Sequence, residues 1–398
     1  MTYGRLVTML GPAISTVNTF AELFSGIGLM RLGLEQTGIQ CQFANDLDAN
    51  KNLIYQHHFG SSHLHAGDIA QLRAAQMPST DLITASFPCQ DLSLAGNRQG
   101  LSGKRSGLFH EFIRILTELK RERRAPRIVL LENVTGLLTS HGGQDIRTIL
   151  ESLNNLGYAC DVLLLDAVHF LPQSRPRIFI VGMQNRGHRN LELPDHPCRP
   201  KSIQNVIQEN PHINWQFLSL PKLPEFRACT LAECLENGDH LRWFNAAELT
   251  RELAYIRGPS RERLEQAQTR ADTSDQSIFL TAYRRMRSSL VCLETRDDGI
   301  AGCLRTPGGG SSRQVLIEVH PRASVRMRYL TAREYGRLQG APDSFWIPDN
   351  QRLGMHAFGD AVAVPVIAWL ATVLQECLCD SRIIQTEIKT HSSPSARL

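Results

Sequence analysis

The chain has 398 residues, of which 42% are apolar and 21% charged. That is enough for about two to three domains with a substantial core, and it excludes a disordered chain. A net charge of +4 is too mild to imply a nucleic-acid partner by itself, so any such partner must be met by local basic patches. The ten cysteines form no CxxC pair, which excludes a zinc ribbon or a disulfide framework and suits a reducing, cytoplasmic interior. The N-terminal apolar run is broken by Pro12 and is too weak for a signal peptide. No uninterrupted apolar stretch approaches the ~18 residues of a membrane span. A soluble protein with no membrane partner is expected.

In chain order, Val17–Phe24 reads as a strand that runs into Ser25-Gly26-Ile27-Gly28. Leu29–Gln36 then has helical spacing, with Gly38 placed to end it. Gln42–Asn45 and Asp81–Ser86 are further short strands, and Gly107–Leu119 is an amphipathic helix. Ile128–Leu131 is a continuous apolar run, as in a buried parallel strand. Tyr158–Leu165 and Arg177–Gly182 complete the strands. Strands alternating with helices predict a doubly wound, Rossmann-like α/β sheet. Over 186–325 the alternation fails and no elements are assigned. Tyr329–Leu338 and Val362–Leu378 are again helical. The divisions expected are 1–185, 186–327 and 328–380, with a frayed tail over 381–398.

Three strand ends carry groups suited to an adenosine-bearing ligand. Gly26 and Gly28 allow close backbone approach, Asp46 can accept from ribose hydroxyls, and Asp68-Ile69 follows at a third strand end. A GxG turn alone is equally compatible with no ligand. Ser86-Phe87-Pro88-Cys89-Gln90 follows a strand, which places Cys89 on a loop at the carboxyl edge of the sheet. There a thiol pKa can be lowered by backbone N–H groups or a cation, although an inert buried thiol is the commoner fate of a cysteine. Glu132 ends the apolar run 128–131, where a carboxylate bears a desolvation cost unless it has a partner or a task. Arg175 and Arg177 enter a strand one residue apart and so share a face. Salt bridges and solvated rims remain open readings for these charges. His57, His58, His63 and His65 are close in sequence, but their spacing matches no zinc site and no metal is expected.

The ordered set resembles the DNA (cytosine-5)-methyltransferases of prokaryotic type over roughly 18–378. The carriers are Glu22-Leu-Phe-Ser-Gly-Ile-Gly28, Phe87-Pro-Cys-Gln90 with Ser93, Glu132-Asn-Val134 and Gln173-Ser-Arg-Pro-Arg177. Further on come the run from Arg328 to Pro342 and Phe358-Gly-Asp-Ala-Val362. Three departures stand out: Asp46 where the family usually has Glu, Leu29 where a third Gly is usual, and Asp360 where Asn is usual.

The resemblance implies S-adenosyl-L-methionine as cofactor, held by Phe24, Ser25, Gly26, Ile27, Gly28, Asp46, Leu47, Asp68, Ile69, Pro88, Leu108, Asp360, Ala361 and Val362. It implies methylation of C5 of a flipped-out cytosine in a specific duplex sequence, as in the general case of base-flipping methyltransferases. Cys89 is then the nucleophile, Glu132 holds or protonates N3, and Arg175 contacts O2 and keeps the surroundings of the thiolate positive, with Arg177 also in the catalytic set. The region 186–327 becomes the target-recognition domain. Candidate DNA contacts are Ser93, Arg98, Lys104 and Arg105 in and after the Cys89 loop, and Arg284, Arg285, Arg305 and Arg313 beyond it. Over 186–326 there are 20 Lys+Arg against 17 Asp+Glu, a difference of 3, so basicity there is confined to patches. A monomer is expected, acting on duplex DNA alone or beside a restriction enzyme that cuts the same site. A tRNA cytosine-5 methyltransferase and a catalytically inactive DNA-binding relative are the competing readings.

Overall fold

The computed structural model describes residues 17–87, 107–184, 193–306, 313–322 and 324–376. Its first layer is built from β1 (Thr19–Leu23), α1 (Leu29–Glu35), β2 (Gln40–Asp46), α2 (Ala49–Phe59), β3 (Leu64–Ala66) and β4 (Leu82–Ala85). It continues through α3 (Leu108–Arg121), β5 (Ile128–Val134), α4 (Gln144–Asn155), β6 (Tyr158–Asp166) and β7 (Pro176–Gln184). These strands form one seven-stranded sheet in the order β3-β2-β1-β4-β5-β7-β6. Neighbours from β3 to β5 are parallel, while β7 runs antiparallel to both β5 and β6.

The sheet is therefore mixed, and the strict alternation of strand and helix ends at β6. The reason is chain length. Only residues 167–175 separate β6 from β7, too few for the crossover that a parallel return needs. The continuous apolar run of β5 reflects burial on both faces. Ile128 and Leu130 face the core shared with α1 and a helix over 364–376, whereas Val129 and Leu131 face the core under α3 and α4. That C-terminal helix packs tightly on α1, because a Cβ on Gly33 would lie 2.6 Å from Ile367 Cβ. The stretch 351–376 is long and apolar enough to cross a membrane by composition alone, yet it is interrupted at 361–363 and mostly buried in this core.

The segment that gave no elements from sequence holds a second module. Helices α5 (Lys201–Glu209) and α6 (Leu231–Cys234) lead to α7 (Ala246–Tyr255) and α8 (Pro259–Ser274). Strands β8 (Ile278–Arg287), β9 (Leu290–Arg296), β10 (Val315–His320) and β11 (Ser324–Tyr329) make an antiparallel sheet in the order β11-β10-β8-β9. Its core joins Leu264, Ala267 and Ala271 of α8 to Leu280, Leu293 and Ile317 of the sheet.

The chain then returns through α9 (Ala332–Leu338) and α10 (Gln351–Asp360). Tyr329 is the last residue of β11, paired with Val315, and does not begin the helix as its spacing predicted. The helix starts at a capping box in which Thr331 and Glu334 satisfy each other's backbone N–H. Glu334 is fully buried and takes a two-pronged ion pair from Arg328, at 2.7 and 2.5 Å, which anchors the end of the second sheet to α9.

Candidate active site

At the carboxyl edge of β1 the chain turns sharply. Phe24 adopts a positive φ of 59°, and Gly26 and Gly28 adopt 56° and 82°. A strained non-glycine residue at a strand end is a mark of ligand clamps. Ser25 donates its N–H to Asn45 O, but its own hydroxyl is buried without a hydrogen-bond partner. Asp46 accepts from Gly26 N and from Asp48 N, each at 2.8 Å. Asn45 ties β2 to the exit of β3 through His65 O and Gly67 O. Leu47 is 68% exposed at this rim. Ile27 points into the core, so only its backbone lies on the turn. Asp68 caps the next turn through Ala70 N, Ile69 is buried, and Leu108 opens α3 half-buried.

The departure at Asp360 has a partner. Lys51, near the start of α2, reaches Asp360 Oδ2 at 2.9 Å. The extra charge that replaces the usual Asn is thus neutralised, and the pair ties the end of α10 to the strand end that carries Asp46. Ala361 follows with its carbonyl held by Gln339 Nε2, and Val362 is buried.

Glu132 is 7% exposed and belongs to β5 itself, whose pairing with β7 extends to Val134. Arg177 Nε meets Glu132 Oε1 at 3.0 Å. Arg175 does something else. It is 2% exposed and donates to Leu304 O at 3.0 Å and Gly359 O at 3.2 Å. Burial, and then the neighbouring Arg177, hold its pKa below the usual guanidinium range. The arginine paired with Glu132 is thus Arg177, while Arg175, the one expected to reach O2, braces two backbone segments. Cys89, Pro88, Ser93, Arg98, Lys104 and Arg105 lie outside the described residues. Phe87, the last described residue before them, is buried and its carbonyl accepts from Asn133 Nδ2 at 3.4 Å.

Sequence reasoning missed four positions. Asn133, next to Glu132, binds Phe87 O, and Lys51 answers Asp360. Gln173, fully buried, donates to Leu338 O at 2.6 Å and to Gln339 Oε1 at 3.2 Å. Gln339 in turn donates to Phe358 O and Ala361 O. Two amides thus hold together three segments that are far apart in the chain. A buried glutamine inside each of two motifs was the available signal.

The family profile of the C-5 cytosine-specific DNA methylases matches residues 18–376. The chain belongs to that family. The Type II methyltransferase M.DsaV of Dactylococcopsis salina is 30% identical over 88% of this chain and 84% of its own length. M.HpaII of Haemophilus parainfluenzae is 27% identical over 88% and 87%. In fold, this methylase is similar to the Dnmt2 methyltransferase of S. pombe, with a TM-score of 0.56 and 21% identity over 91% of this chain and 99% of that one. The family and fold imply S-adenosyl-L-methionine as cofactor, and the partnerless Ser25 hydroxyl, the glycine turn and the uncovered Leu47 fit such a group.

Other predicted residues are dispersed. In the second module of the methylase, Arg284 is paired with the buried Glu252 at 3.0 Å, and Arg285 with Glu294 at 3.3 Å. Arg305 is exposed, and Arg313 stacks over the Tyr329 ring at 3.8 Å with its Nε unpartnered. The histidines go separate ways. His57 stacks on Trp346, His58 packs on Phe345, His65 stacks on Phe43, and His63 Nδ1 lies 3.3 Å from Gln42 O. Among the described residues no cluster has the make-up of a metal site.

Proposed function

We propose that the protein transfers a methyl group to C5 of a cytosine flipped out of a specific duplex DNA sequence, through a covalent bond between Cys89 and C6. The observation that carries this reading is the Glu132–Arg177 pair at 3.0 Å, set beside the Asn133 contact to Phe87 O. Cytosine C5 is a poor nucleophile. Attack of the Cys89 thiolate on C6 pushes an electron pair to C5 and gives an enamine. Charge then develops at N3 and O2. Glu132 would hold or protonate N3, and Arg177, its partner, would donate to O2. When bound, S-adenosyl-L-methionine supplies the electrophilic methyl. Loss of the C5 proton and expulsion of Cys89 restore the aromatic ring.

The cofactor would be held by the Ser25 hydroxyl, the Gly26–Gly28 turn, Asp46 and Leu47, with Asp68 at one side and the Lys51–Asp360 pair at the other. Recognition would fall to the second module, with Arg305 and Arg313 as its readiest cations. The Type II names of relatives support a modification role beside an endonuclease that cuts the same site. Trapping with a duplex containing 5-fluorocytosine tests the mechanism. A covalent adduct should form and should vanish in Cys89→Ser, and an adduct that survives this change refutes the nucleophile. Assays on duplex DNA and tRNA, followed by bisulfite sequencing of DNA from expressing cells, test the substrate. Transfer to tRNA alone overturns it.

A further inference from the structure

A second thiol lies inside the catalytic cluster. Cys303 sits on the connection between β9 and β10, which leaves the second sheet and touches the first. That segment is stitched to the start of β7 along its backbone. Ala301 N donates to Pro172 O at 2.8 Å, Ser174 N to Ala301 O at 2.9 Å, and Leu304 N to Gln173 Oε1 at 3.5 Å. The sulfur is thereby fixed 3.7 Å from Arg175 Nη1 and 4.0 Å from both Nη1 and Nη2 of Arg177. Glu132 holds the Nε of the same Arg177 guanidinium, so carboxylate and sulfur grip this arginine at different edges.

We propose that Cys303 is a positioning residue that holds the Arg177 guanidinium in register with Glu132 through a charge contact with its sulfur. The inference rests on the reading of Glu132 and Arg177 as cytosine-binding groups. Both guanidiniums turn nitrogens to this one sulfur, so a thiolate there would offset part of their charge, and a misplaced Arg177 would lose its aim at O2. The groups facing the sulfur agree. Arg175, Arg177 and Arg305 hold the thiol below its ordinary pKa even though burial pushes it up. Tyr335 of α9 feels the sulfur from the other side, and Asp360, itself paired with Lys51, acts on Arg175 from the end of α10. In its neutral form the same sulfur donates to Leu304 O at 3.6 Å, a carbonyl that also accepts from Arg175.

The test compares the full-length protein with Cys303→Ser and Cys303→Ala in single-turnover methyl transfer to duplex DNA. Loss of a charge-assisted contact predicts a fall in kcat of about ten- to a hundredfold with KM little changed. The ratio of parent to Cys303→Ser rates carries the decision. A group whose pKa is depressed in the fold contributes its charge contact above that pKa and loses it as pH falls through it. The ratio should therefore be largest at alkaline pH and shrink towards one in acid. A ratio that stays constant with pH, which is what a purely steric role gives, overturns the proposal. Iodoacetamide labelling of the unsubstituted protein, mapped to the Cys303 peptide, needs no variant to fold. Labelling should reach half its limit below the ordinary thiol pKa, and an ordinary or raised midpoint also overturns the proposal. If the unsubstituted protein fails to trap 5-fluorocytosine, the functional reading fails, while the labelling midpoint still decides the state of Cys303.

Discussion

Arginine is arranged in two ways in this molecule. At the catalytic edge of the seven-stranded sheet, Arg175 and Arg177 lie in the interior with Glu132 as the neighbouring carboxylate. On the β8–β9 hairpin of the four-stranded sheet other cations are matched close to the surface. Arg296 pairs with Asp298, and Arg285 and Arg287 share Glu294. Interior charges must be held by fixed partners, because an unpaired one costs several kcal/mol. Surface pairs cost little to open, contribute little to stability and screen one another from a polyanion. One region keeps its positive charge aimed. The other holds it in pairs that open at little cost.

The two regions meet at the Arg328–Glu334 pair, and breaking it should have the largest effect. Glu334→Gln leaves Arg328 buried against a neutral amide and is expected to cost about 3–5 kcal/mol in urea unfolding. An Arg328→Met, Glu334→Leu double variant should recover most of that, and equal losses in single and double variants would argue against the pair as the anchor. Gly359 comes next. A Cβ there would sit 2.6 Å from the Arg305 carbonyl carbon and 2.7 Å from Thr306 N, both backbone atoms. Gly359→Ala should therefore cost about 1–3 kcal/mol and weaken S-adenosyl-L-methionine binding, read as a smaller rise in Tm on adding the cofactor. An unchanged Tm would show that the β9–β10 connection gives way there. The smallest expected effect on stability is that of Glu294→Gln, within about 1 kcal/mol. It releases Arg285 and Arg287, so duplex binding followed by anisotropy across a salt series should show a steeper slope, by up to about 0.9 for each phosphate newly contacted. A slope equal to that of the parent would remove the β8–β9 hairpin from the DNA contact surface.

How much was readable from sequence follows the same division. β1, β2, β4, β5 and α3 were found within a few residues, because a sheet buried on both faces writes continuous apolar runs and its covering helices are amphipathic. The Glu132 and Arg177 positions were likewise visible, since charges at the ends of such runs stand out. Orientation was not. Nothing in Gln-Ser-Arg-Pro-Arg shows that the first arginine turns to Leu304 O and Gly359 O while the second turns to Glu132. Those partners come from segments far along the chain. The second module was opaque for a different reason. Strands such as β8 carry Arg-Arg-Met-Arg at an exposed end, so cross-strand ion pairs blur the apolar alternation. Cys303 left no trace at all, because its setting depends on backbone stitching to residues 172–174.

The amide hub has a consequence for how the protein comes into being. Gln173 reaches carbonyl and amide groups 165 and 166 residues further on, and Arg175 reaches one 184 residues further on. During synthesis the strands of the sheet are all made well before these partners exist. A growing chain that has passed β7 possesses Gln173 and Arg175 but none of these partners, and the last-made part of the fold is what ties the approach to β7 in place. Closure around this strand therefore arrives as a late event, not as a property that accrues with each strand.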